Sequence, residues 1–323
     1  MTLRKSLAIL CVMALLGSTA QAAPSQSEIN QFTSQLSGDS SQLSGWITQQ
    51  LKYAVPFNST SGNVVPNQLH LLGFTLGVEG VVSGTELDTN ALHSLNTQVI
   101  NTQSISTFSR LPFPMVLGMA KIGLPFGLDA GLRFGGIPST NINSGSTTSS
   151  IRNTVVGLDV RKKIIEEGVG LPGLTLGVNY THANGSVDVT NTFSSLTTTI
   201  NGNPATISNG SASEHADWKT NSYGVQAILD KKILIITPYI GASANYNTGD
   251  INNSITATGT ANFADGSQAV TAAGSAAASA NPWDLRALFG FDLTIFPFMR
   301  LGLHGEYAGD KDLAGSVGLR LQF

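Results

Sequence analysis

The stretch LRALFGFDLTI, residues 285–295, decides the fold. Leu285, Ala287, Phe289, Phe291, Leu293 and Ile295 alternate with a set containing Arg286, Gly290, Asp292 and Thr294. Successive side chains of a β-strand point to opposite faces, so the stretch presents one apolar face and one face that carries charge. The same period recurs from Leu69 onward. Leu72, Phe74, Leu76 and Val78 alternate with Gly73, Thr75, Gly77 and Glu79. Phe126, Leu128, Ala130, Leu132 and Phe134 alternate with Gly127, Asp129, Gly131 and Arg133. Leu174, Leu176, Val178 and Tyr180 alternate with Thr175, Gly177, Asn179 and Thr181.

Read in this way, the chain predicts strands near 70–82, 113–122, 126–134, 152–162, 173–182, 219–230, 237–247, 284–296, 298–308 and 314–323. Each is close to the roughly 9–11 residues that a tilted membrane-spanning strand needs. The connections sort in phase: 83–112, 135–151, 183–218, 248–283 and 309–313 on one side, and the shorter 123–125, 163–172, 231–236 and 297 on the other. Long outer loops and short periplasmic turns have that pattern. The expected fold class is all-β, a transmembrane antiparallel β-barrel of about ten strands, with 10–14 possible, preceded by a short helical segment. Tyr180, Trp218, Tyr246, Trp283 and Tyr307 are then expected at the outer interface, with Phe126, Phe296, Phe298 and Phe323 at the inner one.

Composition agrees. Charged residues are 11% of the chain, against about 25% in soluble domains. The net charge of −3 gives no electrostatic footprint for nucleic acid. At the N-terminus, Arg4 and Lys5 precede the apolar run Leu7–Gly17 and the small-x-small pattern Ala20-Gln21-Ala22, which together read as a signal peptide. Cys11, the sole cysteine, falls inside it, so the mature chain is expected to lack disulfides and thiolate metal sites. The expected organisation is a signal peptide at 1–22, a periplasmic or lumenal helical segment at 23–66, and the barrel at 67–323. In that segment Ser25 to Glu28 matches a capping box. Ile29, Phe32, Leu36, Leu43, Ile47 and Leu51 follow at helical spacing. Gly38, Gly45 and the serines predict one broken helix or two short ones, packed at the barrel mouth or plugging the lumen.

The last ten residues, AGSVGLRLQF, resemble the terminal strand of bacterial outer-membrane barrel proteins through Val317, Leu319, Leu321 and Phe323. The resemblance implies location in the cell outer membrane, contact with its lipid and lipopolysaccharide, and recognition by the barrel-assembly machinery. The segments VVGLDV and GLTLGVNYTH, ending at Val160 and His182, are loosely similar to uncharacterised barrels and to the long-chain fatty-acid transporter superfamily. No functional residue is carried over from that likeness.

The period places Glu79, Asp129, Arg133, Asp159, Arg161, Arg286, Asp292, Arg300, Glu306 and Arg320 on the interior face. An unpaired buried charge is costly, so acids and bases in equal number predict a paired network across the lumen. A charged eyelet for solutes is the competing reading. His304 shares that face with Glu306, and a carboxylate orienting a histidine is one component of nucleophilic catalysis. Glu214, His215 and Asp217 stand together at the expected outer rim, as divalent-ion ligands or as solvated loop charge. Asn141–Ser150 and Ala257–Ala280 read as mobile low-complexity loops. No metal or cofactor motif is present, and no phosphate-cradling loop. Three functions follow: passive transport or binding of a small or hydrophobic solute; a structural or surface-interaction barrel with a closed, charge-paired lumen; and a barrel-wall hydrolase using His304. The first leads, and no enzyme activity is assigned.

Overall fold

The alternation forms strands that close on themselves. A computed structural model describes residues 25–62, 69–105, 109–200, 203–263, 266–309 and 312–323. The signal-peptide reading of 1–22 lies outside these. The strands are β1 (Phe74–Glu86), β2 (Arg110–Leu124), β3 (Leu128–Ser144), β4 (Thr147–Ile165), β5 (Gly173–Ile200), β6 (Asn203–Asp230), β7 (Ile236–Phe263), β8 (Gly266–Ser279), β9 (Trp283–Phe296), β10 (Met299–Ala308) and β11 (Leu313–Gln322). Among the described residues two α-helices accompany them, α1 (Gln26–Thr60) and the short α2 (Thr89–His93) between β1 and β2. All pairings are antiparallel, and β1 to β7 pair in sequence. The lower half of β7 then pairs with β9, and β10 and β11 bring the sheet back to β1. β8 stands apart from this ring, pairing with the upper half of β7 from Asp250 to Phe263.

The faces are inverted relative to a water-soluble sandwich. Val78, Val116, Leu158, Val225, Leu285 and Val317 are each more than half exposed, whereas Glu79, Asp129, Arg161, Asp292 and Glu306 are at most 5% exposed. A soluble fold buries the first kind and exposes the second. Lipid demands the reverse, together with a closed sheet whose backbone groups are all paired. The chain is a transmembrane β-barrel of the outer-membrane type. Its aromatics mark the two interfaces. Tyr180 and Tyr223 lie 5.2 Å apart, and Tyr246 and Trp283 5.1 Å apart, at the outer end. Phe74, Phe323, Phe298 and Phe296 form a stacked row at the inner end, with neighbouring rings 5.0 to 6.3 Å apart. Trp218 departs from expectation. Counting by twos from the outward Tyr223 turns Trp218 inward, where it is buried, meets Phe113 edge-on and donates to Asn153 Oδ1 at 3.1 Å.

The long outer connections are also different from expectation. Residues read as loops at 183–218 and 248–283 are mostly extensions of β5, β6 and β7 together with β8, and 141–150 forms the β3–β4 hairpin. These walls rise above the membrane because their inward residues have something to cover. That something is α1, whose apolar stripe packs against Ile251, Ile255, Ala257, Ala261, Val270 and Ala272.

α1 is one continuous helix of 35 residues, not a broken pair. The capping box at Ser25 and Glu28 forms. Serines and threonines that weaken helix propensity instead bond back one turn, as Thr33 does to Ile29, Ser37 to Thr33 and Thr48 to Ser44. Packing of the stripe overrides propensity, as it does in most protein helices. Pro56 cannot donate to the carbonyl of Lys52, and the barrel wall fills the gap: Asn281 N donates to that oxygen at 2.9 Å. Gly274 on β8 is needed where the wall meets the helix, because a Cβ there would lie 2.2 Å from Ser41 N.

Candidate functional site: the filled lumen

α1 enters between the tall outer walls and runs inward, so its C-terminal end lies inside the barrel. Three layers hold it. At the top, the buried Asp39 carboxylate accepts from the backbone amides of Gln98, Val99 and Ile100 at 2.6 to 3.0 Å, which ties the β1–β2 connection to the helix. In the middle, Leu43, Trp46, Ile47, Leu51 and Val55 join Val81, Met115, Leu117, Val155 and Trp218 in one apolar core. The bottom layer is polar.

There the helix end meets two arginines from opposite walls. Arg133 on β3 donates to the carbonyls of Ser59 (3.1 Å), Thr60 (3.3 Å) and Ser61 (3.2 Å), and to Thr181 Oγ1 (2.6 Å). Arg286 on β9 donates to Ser61 Oγ (3.3 Å) and Glu306 Oε2 (2.8 Å), pairs with Asp284, reaches Thr60 Oγ1, and stacks over Phe57 at 4.4 Å. The last carbonyls of a helix have no partner within it and carry partial negative charge. The last turn of α1 contains no basic residue, and the barrel supplies the cations instead. Glu306 completes the cap by accepting from Gly62 N at 2.7 Å.

Below the helix several buried charges of the inner face are paired. Arg161 and Asp129 form a two-pronged pair at 2.8 and 2.9 Å, and Asp159 lies 3.5 Å from the same guanidinium. Arg320 pairs with Asp292, and Glu79 accepts from Ser316. Arg300 is half-buried, and its Nε and Nη1 have no hydrogen-bond partner among the described residues.

His304 sits in this layer with both ring nitrogens occupied, Nε2 by Glu306 Oε1 at 2.8 Å and Nδ1 by Tyr239 Oη at 2.9 Å. It is buried under the helix end, where it bridges Tyr239 on β7 and Glu306 on β10. The cluster at 214–217 is divided by the strand. Glu214 points inward and is buried, while His215 and Asp217 point outward. His215 Nδ1 lies 2.6 Å from Asp188 Oδ1 across the β5–β6 pair.

Several members were not foreseen. Lys121 pairs with Asp159 at 2.9 Å and Lys163 with Asp230 at 3.6 Å. Asp39, set among glycine and serines, and Tyr239 likewise carried no signal of their roles.

The outer membrane protease OmpT from Escherichia coli is similar over 82% of this chain and 100% of its own, at 8% identity and a TM-score of 0.41. The translocator domain of autotransporter NalP from Neisseria meningitidis is similar over 89% and 99%, at 10% identity and a TM-score of 0.32. A Pseudomonas aeruginosa FadL homologue is similar over 78% and 89%, at 9% identity and a TM-score of 0.32. Likenesses this distant say nothing about activity. No curated protein matches the sequence. A family profile does, over residues 78–323, which is every strand but the first few residues of β1. The chain belongs to the family described as "Family of unknown function (DUF6588)".

Proposed function

We propose that this protein is an outer-membrane barrel closed by its own N-terminal helix, acting at the cell surface through its outer walls and not as an open diffusion pore. One observation carries the reading: the end of α1 is clasped by Arg133 and Arg286 from two sides of the lumen, above a layer of paired charges. The hollow left beside that clasp is about 30 Å³, room for a water or two. Passage of a solute would require the helix to leave. In this reading residues 1–22 direct export and are removed. The terminal strand, with Val317, Leu319, Leu321 and Phe323 facing lipid, is the segment offered to the assembly machinery, and the outward aromatics meet phospholipid and lipopolysaccharide.

Recording in planar bilayers tests this. The purified mature chain should show no steady conductance across the voltage range in which open barrels conduct. A large constant conductance in most insertions would overturn the closed lumen and restore passive transport as the function.

A further inference from the structure

The outer wall is uneven. β5, β6 and β7 run 28 residues each, whereas β10 and β11 run 10. The upper part of α1 leans on the tall side, where Ser37 and Ser44 bond to β8 at Ala273 N and Gly274 O. Its opposite face therefore stands clear above the low side. A cleft of about 690 Å³ opens there, between α1, the connection that follows β1 and the short turn between β10 and β11. That volume falls within the range of small-molecule sites, roughly 300–1,000 Å³.

Its lining is chemically consistent. Gln42, Gln49, Gln50 and Tyr53 lie on one stripe of the helix, at i, i+7, i+8 and i+11. Gln42 spends its amide N–H on Asn96 O at 2.9 Å and keeps its carbonyl for the cleft. Gln50 does the opposite, accepting from Asp88 N at 3.0 Å and keeping its NH2. Tyr53 is exposed, and Trp46, held by its Nε1 donating to Asp88 O at 2.8 Å, forms part of the floor. Gly45 lies between them. A glycine within a helix costs roughly 0.5–1 kcal/mol relative to alanine. An added Cβ at Gly45 would meet nothing within 4 Å, so crowding does not explain it. A longer side chain at this position, which lines the cleft, would project into its open space.

We propose that this cleft binds a neutral saccharide presented from outside the cell. The proposal rests on the surface-acting reading above, since the cleft must open outward. Among the described lining residues Glu86, Asp88 and Asp312 are acidic and none is basic, and the cations beside them are engaged, Arg110 with Glu86 at 3.7 Å and Lys52 over one face of the Tyr53 ring at 4.9 Å, which disfavours an anion. A purely apolar ligand would leave the glutamine amides without partners, at a cost for each buried one. A sugar satisfies both conditions. Its hydroxyls both donate and accept, so they pair with the glutamine amides and with the acceptor-only carboxylates, and its C–H face stacks on an aromatic ring such as Tyr53.

The test is binding to the purified full chain in an amine-oxide detergent, which carries no sugar of its own. The probes are maltotetraose, cellotetraose and chitotetraose, with tetragalacturonate as the anionic control, followed by ligand-observed NMR and calorimetry. At least one neutral tetramer should bind, and tetragalacturonate should not. The paired change Gln49→Ala with Tyr53→Ala should weaken binding at least tenfold, and Gly45→Leu should abolish it by filling the space, both with unchanged heat-modifiable migration on gels. Absence of binding by all three neutral tetramers, preference for the anionic one, or undiminished binding to Gly45→Leu would overturn the proposal. Binding is read independently of conductance. A silent barrel that takes no sugar sinks the cleft alone, and a conducting barrel that takes sugar sinks the closed lumen alone.

Discussion

Replacing Arg133 and Arg286 together by methionine is expected to turn a silent barrel into one that opens in bilayer recordings. Arg133 satisfies three carbonyls at the helix end, and Arg286 satisfies two hydroxyls there and two carboxylates of the wall. Hydrogen bonds to charged groups contribute about 1.5–3 kcal/mol each, and removing one partner of a buried pair costs about 3–5 kcal/mol. Glu306 retains His304 and Gly62 N, so the loss is partial there. A combined change of about 5 kcal/mol shifts the docked-to-free ratio of the helix end by over a thousandfold. The apolar layer above still holds the rest of α1, so openings should be brief. Each single variant should remain mostly closed, because one clasp survives. A double variant as silent and as heat-resistant as the native chain would show that the helix is not held from below.

The second large effect concerns pH. Glu214 lies on the inward face of β6 well beyond Tyr223, in the wall above the outer aromatic row. Its Oε1 accepts from Asn253 Nδ2 at 2.9 Å, while its Oε2 and Asn253 Oδ1 both have no hydrogen-bond partner among the described residues. Burial pushes this carboxyl up from near 4.5 to about 7, with the Asn253 bond opposing. A protonated Oε2 could donate to the vacant Oδ1 and satisfy both atoms at once. A raised acid holds its proton more tightly in the folded state than in the unfolded chain. Stability is therefore greatest below about pH 4.5 and declines as the pH rises through about 7. A shift of this size corresponds to about 3 kcal/mol at most. Glu214→Gln supplies the missing donor permanently. Its denaturant midpoint in micelles should be the same at pH 5 and pH 8, while that of the native chain falls. Equal pH dependence in the two proteins would remove Glu214 as the cause.

How much of this was legible follows from contrast in the sequence. Leu285 to Ile295 announced a spanning strand because large apolar residues alternate with charge and glycine. β2 hid its phase. Its inward set is Phe113, Met115, Leu117 and Met119, as apolar as its outward neighbours because it packs on α1. Lys121 at the end of that set therefore went unread. Above the membrane, Ile251, Ile255, Ala257 and Ala261 do alternate with Asn252, Ser254, Thr256 and Thr258. Alanine against threonine is weak contrast, and the stretch looked like low-complexity loop. Period alone assigns the charged residues a face, yet nothing in the period says that Arg133 reaches helix carbonyls. That contact joins residues more than seventy positions apart and depends on α1 lying inside the ring.

Everything turns on the path of α1, inward from the outer mouth with its capped start outside. Ser27 is exposed in the first turn, and Cys11 is the sole native cysteine, within the segment expected to be removed. A membrane-impermeant maleimide applied to intact cells carrying Ser27→Cys measures the path directly. The account predicts full labelling without permeabilisation. Labelling only after the outer membrane has been breached would place the helix on the periplasmic side and contradict it.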